Sequence, residues 1–206
     1  CCKLPDFEIE TQTHQAIKSK AALLDHIPNA RRYDEYKKMF CNGHSEKNYH
    51  KLKEEKLLRY LFPPLASYTL QAQDKQFYHA AFVNSDQRHK DQKSINPIFL
   101  ISVLLWPVFM DACTQKQQQH PKHSFLGMSH EVIDSIFAHQ LEALAIPRFG
   151  LEHIRQIWTL QYKLEQRRPK TIFGLLNHPR IRSAYDFLLL RAANETKLKE
   201  TAQWWQ

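Results

Sequence analysis

Apolar residues recur along most of the chain at intervals of three and four, which is the spacing of one face of an α-helix. Tyr33, Tyr36 and Phe40 form one such stripe behind Asn29, and a second stripe runs from Tyr49 to Leu61 behind Ser45. No run of alternating apolar and polar residues is long enough to indicate a β-strand. The pattern predicts an all-α fold, an irregular array of helices without a sheet.

The sharpest helix start is Asn96-Pro97, because Asn suits the N-cap position and Pro suits the first helical position. The apolar run PIFLISVLLWPVFM follows at once and ends at Met110. It is shorter than the roughly 20 residues that span a bilayer, so we expect a core helix with a bend at Pro107 and no membrane span. Its buried residues are expected to include Ile98, Leu100, Ile101 and Leu104.

Polar stretches and prolines suggest how the chain is divided. The segment between Lys116 and Met128 is rich in Gln, Lys and His, which predicts a loop, with Ser129 capping the helix behind it. Pro169 and Pro179 are each expected at the first position of a short helix. We predict an element at 1–26, a helical body at 27–118 and a C-terminal helical part at 119–206.

Composition supports a folded, helical protein. The chain has 206 residues, of which 43% are hydrophobic and only 4 are glycine, so it can bury a core without a metal or a disulfide. Its four cysteines contain no CxxC pair, and nothing at the N-terminus resembles a signal peptide. These features predict a cytoplasmic location.

The charge balance points to a polyanionic partner. Lysine and arginine number 29 against 21 acidic residues, a net charge of +8. Most of the excess lies in one stretch that also contains Trp158, Tyr162 and Phe173, a combination typical of single-stranded RNA binding. The alternative is a solvated helix face whose aromatic residues lie in the core. The candidate RNA-binding residues are Arg148, Arg155, Lys163, Arg167, Arg168, Lys170, Arg180 and Arg182.

Metal-binding and catalytic motifs are not indicated. His120, His123 and His130 are the closest histidine group, but they lack the spacing of a zinc site. The acidic residues are scattered along helix faces, whereas a two-metal polymerase needs paired carboxylates to hold Mg²⁺. We therefore predict no metal site and no catalytic residue in this chain.

Several segments resemble one known family. RRPKTIFGLLNHPRIRSAYDFLLLRAA at Arg167–Ala193, followed by AQWW at Ala202–Trp205, resembles the C-terminal region of bacterial poly(A) polymerases. The segments IPNARRYDEYKKMF, LFPPL, INPIFL and LAIPRF occur in the same order as their counterparts in that family. The resemblance covers nearly the whole chain, although the Arg-rich tail that commonly follows the Trp-Trp pair is absent here.

The resemblance implies a division of labour. In that family, which shares its fold with tRNA CCA-adding enzymes, a head domain carries the catalytic carboxylates and Mg²⁺, a neck selects ATP, and a helical body holds the single-stranded RNA 3′ end. CCKLPDFEIE at residues 1–10 looks like the end of the neck, so we expect the head, with its Mg²⁺ and ATP, to lie upstream. No cofactor is expected in this chain, and Arg31 and Arg32 are expected near the active-site cleft.

Two other interpretations stay open on the sequence alone. The chain could be the body of a tRNA CCA-adding enzyme, although those enzymes generally lack a region like Arg167–Trp205. It could also be a helical protein-interaction scaffold whose basic face is incidental. RNA binding measured at two salt concentrations separates that scaffold from an RNA-binding segment.

Overall fold

The computed structural model describes residues 9–206, so most of the expected neck end lies outside the described residues. The first helices are α1 (Thr11–Ser19), a 3-10 helix (Ala21–His26), α2 (Asn29–Phe40), α3 (Ser45–Glu54), α4 (Leu58–Leu61) and a 3-10 helix (Pro63–Leu65). They are followed by α5 (Ala72–Lys90), α6 (Pro97–Gln119), α7 (Phe125–Leu141), α8 (Arg148–Gln166), α9 (Pro169–Leu176), α10 (Ile181–Asn194) and α11 (Thr196–Trp204). No strand occurs from residue 9 to residue 206, which confirms the predicted all-α fold.

The helices form two compact units, each assembled from separate stretches of chain. The first unit contains the chain up to Thr69 together with Phe82–Pro97 and Ile136–Ile146. The second unit contains Leu70–Ala81, Ile98–Ser135 and Pro147–Gln206. The division predicted from the sequence, at 26/27 and 118/119, follows the chain order instead and stays a prediction.

An aromatic core holds the first unit together. The predicted stripe on α2 is buried, and the ring centroids of Tyr36 and Phe40 lie 5.0 Å apart. Phe62 meets Tyr36 edge-on at 5.7 Å, and Phe82 lies 5.8 Å from Phe40. Tilted and edge-on aromatic pairs stabilise a core beyond the apolar area they bury.

The start of α3 is capped from another helix. The Asp86 Oδ1 atom accepts hydrogen bonds from the backbone N–H of Ser45 at 2.8 Å and from its hydroxyl at 2.7 Å. The single helix predicted from Ser45 to Leu61 is wrong, because the chain leaves the α3 conformation at Lys56, where φ is 56°. A residue with positive φ cannot continue a right-handed helix.

The predicted core helix is α6, in the second unit. Ile98, Leu100, Ile101 and Leu104 are all buried, as expected. The helix continues through Pro107 and is 23 residues long. It is the one helix of the described chain that is long and apolar enough to cross a membrane, but 61% of its most apolar stretch is buried inside the protein. This burial accounts for the apolar run as a core helix.

Three of the predicted boundaries are wrong. The loop expected between Lys116 and Met128 is only residues 120–124, because α6 ends at Gln119 and α7 begins at Phe125. Ser129 therefore lies inside α7, where its hydroxyl donates to the Leu126 carbonyl at 2.8 Å. Pro179 lies in the turn before α10, whereas Pro169 is the first residue of α9 as predicted.

The C-terminal helices pack into a second apolar cluster. Leu160 and Leu164 of α8 are buried with Leu188 of α10 and Leu198 of α11. The indole N–H of Trp205 donates to the Leu164 carbonyl at 2.9 Å. The terminal Trp-Trp segment is therefore held on α8 by both packing and a hydrogen bond.

Replacing Leu104 with Ala should destabilise the second unit, because Leu104 is fully buried in α6. We expect the free energy of unfolding to fall by about 2–5 kcal/mol, the usual range for truncating a buried Leu. Chemical denaturation measures this loss. Leu176→Ala is the matched control, since Leu176 is exposed. Equal stability of Leu104→Ala and the unsubstituted chain would show that α6 is not a core helix.

Candidate nucleic-acid interface

The basic stretch is carried by α8, a sharp turn and α9. Arg167 has φ of 47° and ψ of 38°, a left-handed conformation that ends α8. Pro169 then begins α9 and restricts the residue before it, so Arg168 is extended at φ −73° and ψ 121°. The two arginines thus form the corner between two helices.

Four of the predicted cations are open. Lys163, Arg168 and Lys170 are exposed and Arg180 is half-buried. Within residues 9–206, the side chains of these four residues make no ion pair with a carboxylate. Arg148, at the other end of α8, is likewise exposed and without such a pair among the described residues. Unpaired guanidinium and ammonium groups at a surface are available to bind phosphate.

The other three predicted cations lie beside carboxylates. The shortest N–O distances are 2.5 Å between Arg155 and Asp134, 2.8 Å between Arg167 and Glu200, and 3.2 Å between Arg182 and Asp186. Ion pairs at exposed sites contribute little, typically 0–1 kcal/mol. Arg167 and Arg182 can therefore exchange their carboxylates for phosphates, but they are less available than the open cations.

His178 reports how the basic groups converge. Its Nδ1 accepts a hydrogen bond from the Arg180 backbone N–H at 3.1 Å. Burial lowers the pKa of His178, and the nearby positive charges of Lys163 and Arg180 lower it further. Lys163 on α8 and Arg180 before α10 therefore contribute to one positive region, although they are far apart in sequence.

The structure separates the three aromatic residues of this stretch. The Trp158 ring is buried, stacks on Phe109 at 4.6 Å and donates its indole N–H to the Ser102 carbonyl at 3.1 Å. Tyr162 stacks on Phe125 at 4.9 Å. These two side chains belong to the fold, as the alternative interpretation expected. Phe173 on α9 is 81% exposed and belongs to the surface.

Arg32 is a packing residue in the first unit. Only 8% of it is exposed, and its guanidinium donates to the Tyr60 carbonyl at 3.1 Å and to the Glu142 carbonyl at 2.7 Å. It also lines an open cavity of about 700 Å³ together with Arg59. Arg31 is exposed, with its Nε 3.6 Å from a Glu35 oxygen. Their position relative to an active-site cleft stays a prediction.

Arg191 is a functional anchor that the sequence analysis missed. Its guanidinium lies 4.8 Å from the centre of the Trp106 ring and 2.6 Å from a Glu165 oxygen. The signal was a lone arginine inside the apolar run DFLLLRAA, where a charged side chain on the buried face needs partners. Arg191 joins α10 to α6 and α8.

The histidines do not assemble a metal site among the described residues. No group of three His, Cys, Asp or Glu side chains there is close enough to hold a metal ion. The rings of His120 and His123 stack at 5.0 Å, while His130 lies 3.4 Å from an Arg155 nitrogen.

Comparison with known sequences places the chain in a family. The family described as "Polymerase A arginine-rich C-terminus" matches residues 117–206, and that described as "Probable RNA and SrmB- binding site of polymerase A" matches residues 6–69. The chain therefore belongs to the poly(A) polymerase family and corresponds to its C-terminal part. This confirms the resemblance seen in the sequence.

The individual relatives are bacterial enzymes. "Poly(A) polymerase I" of Salmonella typhimurium strain LT2 is 30% identical over 205 residues, covering 97% of this chain and 44% of the relative. The Haemophilus influenzae protein of the same name is 32% identical over 209 residues, covering 97% of this chain and 45% of the relative. That of Escherichia coli O157:H7 is 30% identical over 202 residues, covering 96% and 43%. The chain thus spans less than half the length of these relatives.

Acid should destabilise the fold through His153. This side chain is buried, its Nε2 has no hydrogen-bond partner, and burial, then Arg180, lowers its pKa below the usual 6.5. Because the folded state binds the proton less readily than the unfolded state, the stabilisation is present above pH 6.5 and is lost as the pH falls through the lowered pKa. His153→Gln should show a weaker loss of unfolding free energy between pH 7 and pH 5, measured by urea denaturation.

The control for this prediction is His50→Gln, a residue at the surface of the first unit. That substitution should leave the pH dependence of stability unchanged. If His153→Gln and the unsubstituted chain lost stability in parallel over the same pH range, His153 would not be the group responsible.

Proposed function

We propose that this chain holds single-stranded RNA for an enzyme that adds AMP from ATP to RNA 3′ ends without a template. Its relatives are named as poly(A) polymerases, which supports the reaction class. Mg²⁺ and ATP would bind to residues outside this sequence, as would the catalytic carboxylates. The reaction would take place in the cytoplasm, where a reduced state of Cys41 and Cys113 is expected.

The open basic surface is the observation that carries the proposal. We define it as Lys163, Arg168, Lys170 and Arg180 with the paired Arg167 and Arg182. The chain has no acidic residue between Glu165 and Asp186, so the α9 segment presents positive charge without compensation. Such a surface attracts a polyanion at long range and releases counterions when phosphates bind.

The first unit adds a second region to the proposal. The family description that matches residues 6–69 names RNA and SrmB, which supports an RNA contact there as well. Arg31 is exposed on α2 and can contribute, whereas Arg32 is committed to the Tyr60 and Glu142 carbonyls. We assign the larger share of affinity to the open basic surface.

The two alternative functions fit less well. A tRNA CCA-adding enzyme would not be expected to match the arginine-rich C-terminal family over residues 117–206. A protein-interaction scaffold would need a different explanation for four open cations in a segment free of carboxylates. RNA affinity and its salt dependence decide between the scaffold and the proposed function.

Charge reversal on the open basic surface should weaken RNA binding. Single-stranded RNA affinity should fall with salt at a log–log slope of about −0.7 per phosphate contacted, so four contacts give a slope of about −3. Changing Arg167, Arg168 and Lys170 together to Glu should lower affinity and flatten this slope. The loss should be similar for different RNA sequences, because phosphate contacts do not read bases. Fluorescence anisotropy with labelled oligonucleotides measures both quantities.

A matched triple reversal at Lys51, Lys53 and Lys56 is the control, since these lysines lie on and just behind α3 in the first unit. It should reduce affinity less than the first triple variant. Equal losses from the two variants, or unchanged affinity and slope in the first, would place the RNA elsewhere.

The chain alone should not extend RNA. Incubation with ATP, Mg²⁺ and a short RNA is expected to leave the 3′ end unchanged, because the sequence offers no carboxylate pair to hold two metal ions. Denaturing gel electrophoresis of the labelled RNA is the measurement. An added ladder of adenylated products from the purified chain would refute this assignment of catalysis to residues outside it.

A further inference from the structure

Phe173 is the most exposed large apolar side chain in the described part of the protein. It lies on α9, whose Leu175 is buried in the apolar cluster of α8, α10 and α11. The helix is thus anchored by one face while Phe173 and Leu176 point away from the core. Exposing a phenylalanine ring to water gains nothing for the fold, so the ring calls for a binding partner.

The charges around Phe173 identify the kind of partner. Lys170 lies three residues earlier on the same helix, close enough for the two side chains to be neighbours. Arg168 occupies the N-cap of α9, and both cations lack an ion pair within residues 9–206. An aromatic face bordered by open cations matches the face of a nucleic-acid base and the phosphates on either side of it.

Two other exposed aromatic residues in the second unit lack this environment. Phe149 is 69% exposed, but Glu152 follows it by three residues on α8. Trp204 is 47% exposed, but Glu200 precedes it by one turn and its ring already meets Trp205 at 4.8 Å. A carboxylate beside the ring repels the RNA backbone, so Phe173 is the better platform.

We infer that Phe173 stacks against an unpaired base of the bound RNA while Lys170 and Arg168 hold the adjacent phosphates. This inference rests on the proposed function, and it assigns one residue a role that charge alone cannot supply. Stacking tolerates every base because each has a π-face, but its strength grows with the overlapping ring area. An adenine should therefore bind better than a uracil at this position.

The test compares the unsubstituted chain with Phe173→Ala on single-stranded oligo(A), across a series of salt concentrations. Affinity should fall about 5- to 150-fold, the range found when an aromatic that stacks one base is truncated. The slope of log affinity against log salt should not change, because no phosphate contact is removed. Oligo(U) should lose less affinity than oligo(A). Denaturation should show unchanged stability, since the ring is exposed.

Three further measurements separate stacking from a general apolar contact. Phe173→Leu should lose affinity almost as Phe173→Ala does, whereas Phe173→Trp should keep it. An abasic oligonucleotide of the same length should bind the unsubstituted chain and Phe173→Ala equally. Phe149→Ala, the matched control for an exposed phenylalanine beside a carboxylate, should change affinity less than twofold.

Different failures would have different meanings. If the unsubstituted chain bound RNA with the expected salt slope but Phe173→Ala bound it equally well, the stacking role would be overturned and the proposed function would stand. If the chain bound no RNA at low salt, the proposed function would fail with it. Retained RNA affinity together with loss of binding to anionic phospholipid vesicles in Phe173→Ala would show that α9 is a membrane-docking helix instead.

Discussion

The buried guanidinium of Arg191 is the constraint on which the second unit depends. Its side chain is only 6% exposed, and it is compensated by Glu165 at 2.6 Å and Glu195 at 3.4 Å while it lies over the Trp106 ring. Removing one partner of a buried ion pair typically costs about 3–5 kcal/mol, because an uncompensated charge is left behind. The fold therefore holds α8 and α10 together through this group. It also commits to Arg191 the last carboxylate before the basic stretch.

The internal pairing decides the charge of the surface. With Glu165 engaged by Arg191, no carboxylate follows in the chain until Asp186. Leu175 fixes α9 on the core, and the corner at Arg167 and Arg168 places cations where the backbone changes direction. A rigid helical surface with fixed positive charge binds a flexible polyanion without having to order itself first. RNA binding and the stability of the fold thus have one physical origin.

The sequence predicted local features well and long-range contacts poorly. The start of α6 at Pro97 and its buried residues follow from capping and periodicity, which depend on neighbouring residues only. The start of α7 was missed because Phe125 is held by stacking on Tyr162, far along the chain. The burial of Arg32 depends on the Glu142 carbonyl, 110 residues away, and the pairing of Arg167 depends on Glu200. The eight cations were found from composition, but their division into open and paired groups required the fold.

The most direct test of the account is lysine footprinting of the chain with and without single-stranded RNA. Acetylation rates of individual lysines, read by mass spectrometry, report which ammonium groups the RNA covers. The account predicts that RNA slows the acetylation of Lys163 and Lys170, while the exposed Lys197 and Lys199 of α11 react at unchanged rates. Unchanged rates at Lys163 and Lys170, with protection confined to lysines of the first unit, would contradict the claim that the open basic surface holds the RNA.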